Sequence, residues 1–178
     1  DTIYYNLTEK THSTTIALRD FHNIYVKRKL INGVASYLQN KMKTPDILLM
    51  DYAVGKGGDL SKWSHANIKF VFGIDVHADN ITNSEDGACV RYLRWRHKNN
   101  KHKMRALFLE GNSSMNIRVD GTAFSNSMHK EIAQSVFGQS KNPNKNYVFT
   151  HGVAREGFHM SMCMFALHYF FENSKTLH

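Results

Sequence analysis

Four short runs of unbroken apolar residues, separated by segments of helical period, decide what this chain can fold into. They are ILLM (47–50), KFVFGID (69–75), RALFLEG (105–111) and FHMSMCMFAL (158–167). None shows the alternation of a strand with one wet face. A strand apolar on both sides is covered on both sides, which is the habit of parallel strands joined by crossover helices. The intervening segments supply such helices. In 18–39, Leu18, Phe21, Ile24, Tyr25, Leu30, Ile31, Val34 and Leu38 recur at spacings of three and four. Residues 79–96 and 128–137 also read as helical, and Asp59 is placed to begin a helix. The expected fold is α/β, a Rossmann-like three-layer αβα sandwich on a mostly parallel sheet. Residues 1–15 read as an N-terminal arm and 16–178 as the domain. Four strands are fewer than such a sheet usually carries, so the C-terminal strands are expected to be missing from this chain.

A length of 178 residues suits one domain with a sizeable core. Lysine and arginine total 23 against 15 acids, a net +8, which favours a polyanionic partner. Two cysteines, Cys89 and Cys163, are too few for a disulfide framework or a cysteine-ligated zinc site and point to a reducing compartment. The 11 histidines are scattered without metal-ligand spacing, so no metal is expected. No apolar run is long enough for a transmembrane helix, and no membrane partner is expected. The N-x-S/T triplets at Asn6, Asn80 and Asn112 read as chance.

The loop after the first strand carries the first chemical signal. DYAVGKGGD (51–59) puts three glycines between a strand and a helix, where the backbone can approach a ligand closely. It is neither a Walker loop nor GxGxxG. Glycines alone are compatible with a tight turn and no ligand. Asp75 adds a second signal: it ends the next strand, 20 residues after Gly55, where Rossmann-like sites place an acid that accepts from ribose hydroxyls. A lone acid there is often only a helix cap. Loop and acid together point to an adenosine-type cofactor.

Three motifs extend the reading over most of the chain. LRDFHNIYVKRKLI (18–31), GKGGDL with Lys62 and Trp63 (55–63), and FALHY followed by Phe171 and Glu172 (165–172) occur in that order. Together they resemble the mRNA cap guanine-N7 methyltransferases, which use S-adenosylmethionine, and the form of the first motif with DGACVRYL (86–93) is most like the enzymes of large DNA viruses. The resemblance implies the class I methyltransferase fold and a role for each matching residue. Lys27 meets the methionine carboxylate, and Asp51 and Gly55 line the methionine end. Asp59 approaches the cofactor from its helix start, Asp75 takes the ribose, Asn112 and Ser113 face the adenine, and Phe165 packs nearby. On the RNA side, Lys56 and Arg91 neutralise the triphosphate, His168 hydrogen-bonds the guanine and Tyr169 stacks on it. The implied partners are the capped 5′ end of mRNA and triphosphatase or guanylyltransferase domains of the same polypeptide. The implied location is the cytoplasm of an infected cell or the virion for a viral protein, and the nucleus for a cellular one.

Guanine N7 carries a lone pair and no proton, so no general base is expected and catalysis reduces to positioning. Four positions depart from the family pattern: Ala53 stands for a glycine, Asn112 for an aspartate, and His159 and Met164 for Asp and Gln. These departures leave a second reading, a non-catalytic methyltransferase-like module that binds RNA or a protein partner. A basic run, Arg91, Arg94, Arg96, His97, Lys98, Lys101, His102, Lys103 and Arg105, interleaved with Tyr92 and Trp95, is either an RNA track or a solvated surface.

Overall fold

The computed structural model describes residues 15–140 and 145–171. All of the expected arm except Thr15, together with Pro143 and Glu172 of the third motif, lies outside the described residues.

Among the described residues, four parallel strands form the sheet: β1 (Leu48–Asp51), β2 (Phe70–Asp75), β3 (Arg105–Glu110) and β4 (Met160–Met162), in the order β3-β2-β1-β4. Asp51 lies opposite Gly73 on one side and Met162 on the other, and Asp75 lies opposite Glu110. This order is the inner part of a doubly wound sheet, whose ligands sit at the carboxyl ends of the strands where the order reverses. Here that switch falls between β1 and β4.

Alternation along each strand creates two cores. Leu49, Val71, Met160 and Met162 pack with Ile31, Trp63, Ile81 and Met104. Met50, Phe70, Phe72 and Ile74 pack on the opposite face with Ala133, Val136 and Phe137. Trp63 is fully buried and donates its indole N–H to Met162 Sδ at 3.4 Å, tying the helix after the glycine loop to β4. Covered on both faces, β2 is buried at every residue, as its unbroken apolar run requires.

The N-terminal helical segment runs without a break through α1 (Ile16–Asp20), a π-helical stretch (Phe21–Lys27) and α2 (Arg28–Asn40). Of its apolar stripe, Ile31 is buried with Ala35 beside it, and Leu38 packs at the core margin. Leu18, Phe21, Ile24, Tyr25, Leu30 and Val34 are exposed, because only one side of α2 reaches the sheet core.

Two expectations need correction. The helix expected over 79–96 is two helices, α4 (Ala78–Thr82) and α5 (Ala88–Lys98). Asn83 breaks it: its Oδ1 accepts from the N–H groups of Glu85 and Asp86 and holds a turn instead of a helix. Gly87 packs so tightly there that a Cβ would meet the Asn83 backbone at 2.7 Å. The strand expected over 158–167 forms only at Met160–Met162. Phe165 adopts φ +62, which ends extended structure, and Leu167–Phe171 form a 3-10 turn. His168 and Tyr169 therefore stand on a helical turn past the sheet. Between the α5 break and that turn lie α6 (Ser127–Val136), N-capped by the side chain of Asn126, and a 3-10 turn at Lys145–Thr150.

One departure from the family pattern has a structural task. The backbone N–H of His159 donates to Leu48 O, and its Nδ1 accepts the Leu48 N–H, both at 3.0 Å. The imidazole thus supplies an acceptor at the β1–β4 entry, a role a carboxylate would also fill.

Candidate active site

The glycine loop joins β1 to α3 (Leu60–His65) and is anchored at both ends. The Ala53 N–H donates to Asp51 Oδ1 at 3.1 Å, and the Val54 N–H to Ile74 O at 3.0 Å. Gly55 and Gly57 have φ of +54 and +68, so these positions suit glycine. The Gly55 N–H donates to Asp75 Oδ2 at 2.8 Å. The 20-residue spacing read in the sequence is thus a direct contact. Asp75 Oδ1 accepts from the His77 N–H and from the side chain of buried Asn80, both at 3.0 Å. Carboxylate oxygens have two lone pairs each, so Asp75 Oδ2 retains room for a further donor. A Cβ built on Gly55 or Gly58 would meet nothing within 4 Å, so the loop borders open space.

Beside the loop lies a cluster of charges. Asp59 is buried just before α3 and is met by two ammonium groups: Lys62 Nζ at 2.7 Å from Oδ1, an ion pair, and Lys27 Nζ at 3.2 Å from Oδ2, a hydrogen bond. Lys27 comes from the end of the π-helical stretch and also stands 5.5 Å from the centre of the Phe165 ring, against which His22 packs edge-on at 4.9 Å. Asp51, 2% exposed, completes the cluster. Burial pushes its carboxyl up to about 7; the Ala53 N–H opposes this, neighbouring Asp59 and Asp75 reinforce it, and Lys27 lowers it. Three carboxylates and two ammonium groups therefore meet at the carboxyl edge of the sheet. Such a site suits a ligand carrying both signs of charge.

The residues expected to hold phosphates are also brought together. Lys56 Nζ stands 2.7 Å from Asp86 Oδ1 and 3.5 Å from Asp79 Oδ2, and Arg91 Nη2 stands 3.9 Å from Asp86 Oδ2. The hydrogen bond that Lys56 donates to Asp86 raises the Lys56 pKa, so the ammonium stays charged. A triphosphate reaching these cations competes with Asp86. His168 and Tyr169 are exposed on their turn with ring centroids 4.0 Å apart. Phe165, 58% exposed, lies between that turn and Lys27.

Asn112 and Ser113 stand apart from this network on the loop after β3. Asn112 Oδ1 is occupied by the N–H and hydroxyl of Ser114, whereas Ser113 Oγ is buried without a partner among the described residues. Ser113 lines a cavity of about 470 Å³ with Met50, Tyr52, Met115, Phe137 and Phe158. This cavity is on the Met50 face of the sheet, opposite the Leu49 face that packs against Ile31 and Trp63.

The basic run divides. Arg94, Arg96 and Arg105 donate to the carbonyls of Glu85, His102 and Phe149. Lys98, Lys101 and Lys103 are exposed between the end of α5 and the start of β3, at the sheet edge opposite the glycine loop. Sequence reasoning assigned no role to Lys62, Asp79, Asn80 or Asp86. Lys62 carried a signal in its place three residues after Asp59 in DLSK (59–62), and Asp86 in opening DGACVRYL (86–93).

The family model for the mRNA (guanine-N(7))-methyltransferase domain matches residues 2–177. Among curated relatives, mRNA cap guanine-N(7) methyltransferase 1 of Arabidopsis thaliana is 39% identical over 67 residues, covering 38% of this chain and 18% of the relative. The mRNA cap guanine-N(7) methyltransferase of Caenorhabditis briggsae is 33% identical over 81 residues, 45% of this chain and 21% of the relative. That of Drosophila melanogaster is 35% identical over 69 residues, 38% of this chain and 16% of the relative. The matched stretches thus span about a fifth of these relatives' own length. With the domain match running almost from end to end, the chain belongs to the mRNA (guanine-N(7))-methyltransferase family.

Proposed function

We propose that the chain binds S-adenosylmethionine at the β1–β2 edge and serves methyl transfer to N7 of the cap guanine of mRNA. The observation that carries this reading is the Gly55–Asp75 contact beside the Lys27–Asp59–Lys62 cluster. Bound S-adenosylmethionine supplies an electrophilic methyl on a positively charged sulfur. Around it, Asp75 accepts from the ribose, Lys27 meets the amino-acid carboxylate, and the open side of 55–58 admits the ligand against the backbone. Asp51 lines the methionine end, and Asp59 anchors Lys27 beside it. Tyr169 and His168 stack on and hydrogen-bond the guanine, and Lys56 with Arg91 holds the phosphates. No side chain has to take a proton from N7; the protein contributes alignment, worth several kcal/mol.

The test is calorimetric titration of S-adenosylmethionine, followed by single-turnover methylation of capped RNA. Asp75→Ala is expected to weaken S-adenosylmethionine by about 1.5–3 kcal/mol. Tyr169→Ala removes a stacking surface worth about 1–3 kcal/mol and is expected to slow methyl transfer more than it weakens S-adenosylmethionine binding. Unchanged affinity in folded Asp75→Ala refutes the cofactor assignment; wild-type methylation by Tyr169→Ala refutes the cap assignment.

A second reading, a module that binds without turnover, is favoured by one observation: Lys56 and Arg91 both engage Asp86. Cofactor binding without methylation of capped RNA selects it. For neighbours in the same polypeptide we propose triphosphatase and guanylyltransferase domains, whose chemistry produces the unmethylated cap. The site of action proposed is the nucleus for a cellular protein and the infected cytoplasm or virion for a viral one.

A further inference from the structure

The Asp59 cluster holds one cation more than its carboxylate needs. Asp75 accepts from the N–H groups of Gly55 and His77 and from Asn80, and has no ammonium partner among the described residues. Asp51 accepts from the Ala53 N–H. Both lysines of the cluster are therefore concentrated on Asp59, and they are not equivalent. Lys62 is 8% exposed at its side chain, sits one turn from Asp59 in α3, and has Gly58 O within 3.4 Å. Lys27 is 17% exposed, reaches Asp59 from 32 residues away, and lies beside the exposed Phe165 ring.

We propose that Lys62 is a positioning residue for recognition of a carboxylate-bearing ligand: it neutralises Asp59 permanently, so that Lys27 can turn to the ligand's carboxylate. The proposal rests on the cofactor reading above and adds a residue to it. Removing one partner of a buried ion pair leaves the other charge uncompensated, which is costly. If Lys62 were absent, Asp59 would claim Lys27, and a ligand carboxylate would have to compete for it. With Lys62 in place, Lys27 can serve both carboxylates, because an ammonium has three donors. Lys62 itself touches no ligand in this scheme.

The experiment compares S-adenosylmethionine with decarboxylated S-adenosylmethionine, which differs from it by that carboxylate alone. Affinities are read by calorimetry and folding by thermal scan for the wild type, Lys62→Met, Lys62→Arg, Lys27→Met and the Lys27→Met/Lys62→Met pair. The wild type is expected to prefer the carboxylate form by about tenfold or more, the scale of one charge-assisted hydrogen bond. Lys62→Met is expected to erase that preference while leaving decarboxylated S-adenosylmethionine within about twofold, and Lys62→Arg to keep it. In the Lys27→Met background, loss of Lys62 is expected to change the preference no further. Should Lys62→Met fail to fold, Asp59→Asn and Asp59→Asn/Lys62→Met decide: the pair is expected to fold and to match Asp59→Asn in preference. Equal loss for both ligands in Lys62→Met, an undiminished preference, or a further loss in either background overturns the proposal. Absence of S-adenosylmethionine binding to the wild-type chain strikes the cofactor reading instead.

Discussion

Replacing Asp51 by Asn is expected to stabilise the fold at neutral and alkaline pH and to leave it unchanged in acid. The unfolded chain ionises this carboxyl near 3.8, whereas in the folded chain burial moves it to about 7. Between those values the folded state holds a proton that the unfolded state lacks. Stability must therefore fall as pH rises through this window, by up to about 1.4 kcal/mol per pH unit. Below the unfolded value both states are protonated and Asp51 carries no penalty. Above 7 the accumulated penalty is on the order of 4 kcal/mol. Asparagine has nearly the same shape, and its amide oxygen can keep the hydrogen bond from the Ala53 N–H. The assay is urea unfolding of both proteins from pH 4 to 8.5 at constant ionic strength, followed by tryptophan fluorescence. Titrations common to the two proteins cancel in the difference. The Asp51→Asn advantage should be near zero at pH 4 and reach a few kcal/mol at pH 8. A difference that stays flat with pH, or a mutant less stable than wild type at pH 8, refutes the reasoning. A stabilised Asp51→Asn that binds S-adenosylmethionine more weakly would identify the buried acid as stability given up for the ligand.

Three further outcomes are expected. Gly73→Ala places a Cβ 2.8 Å from both Phe108 Cδ1 and Val54 Cγ2 and should cost about 1–3 kcal/mol in denaturant unfolding; an unaltered midpoint would show that Phe108 and Val54 yield freely. Asn126→Ala removes the acceptor for the Met128 and His129 N–H groups at the start of α6 and should cost about 1 kcal/mol, with no loss showing that water caps the helix equally well. Reversing Lys98, Lys101 and Lys103 to Glu should leave affinity for a cap dinucleotide unchanged, because these lysines occupy the sheet edge away from the glycine loop. For longer capped RNA it should reduce the salt slope by about 0.7 per phosphate released, and an identical slope makes the run a solvated surface.

What could be read from the sequence follows the physics of each signal. The first three strands were visible because burial on both faces leaves an unbroken apolar run, and the structure places them within a residue of expectation. The Gly55–Asp75 link was visible because a crossover connection fixes its spacing. The fourth strand was overread: an apolar composition over 158–167 suggests burial throughout, but Phe165 turns to positive φ and leaves its ring and Leu167 exposed. Lys62 stood in the glycine-loop motif without an assigned role, because a lysine in a short helix ordinarily faces solvent and its burial arises only when Asp59 and Trp63 pack around it. The tie of Lys56 to Asp79 and Asp86 was hidden for a similar reason. It depends on the Asn83 turn, which apolar periodicity cannot register.

The π-helical stretch Phe21–Lys27 has a consequence for how such chains diverge. A wider turn accommodates one residue more than the α-helical path between the same end points. In an α-helix one residue is worth 100° of rotation. A single-residue deletion inside this stretch could therefore be absorbed by reverting to α-helix while α2 remains docked through Ile31 and Ala35. Because the end points are kept, the portion upstream of the deletion would escape that rotation, and the same side of α1 would meet its surroundings. Placed before Val26, such a deletion would spare the approach of Lys27 to Asp59; replacing Lys27 itself would not. Gaps in this stretch are thus expected to accumulate between relatives without loss of the site, and a gap-free alignment through it would pair residues that do not occupy equivalent places.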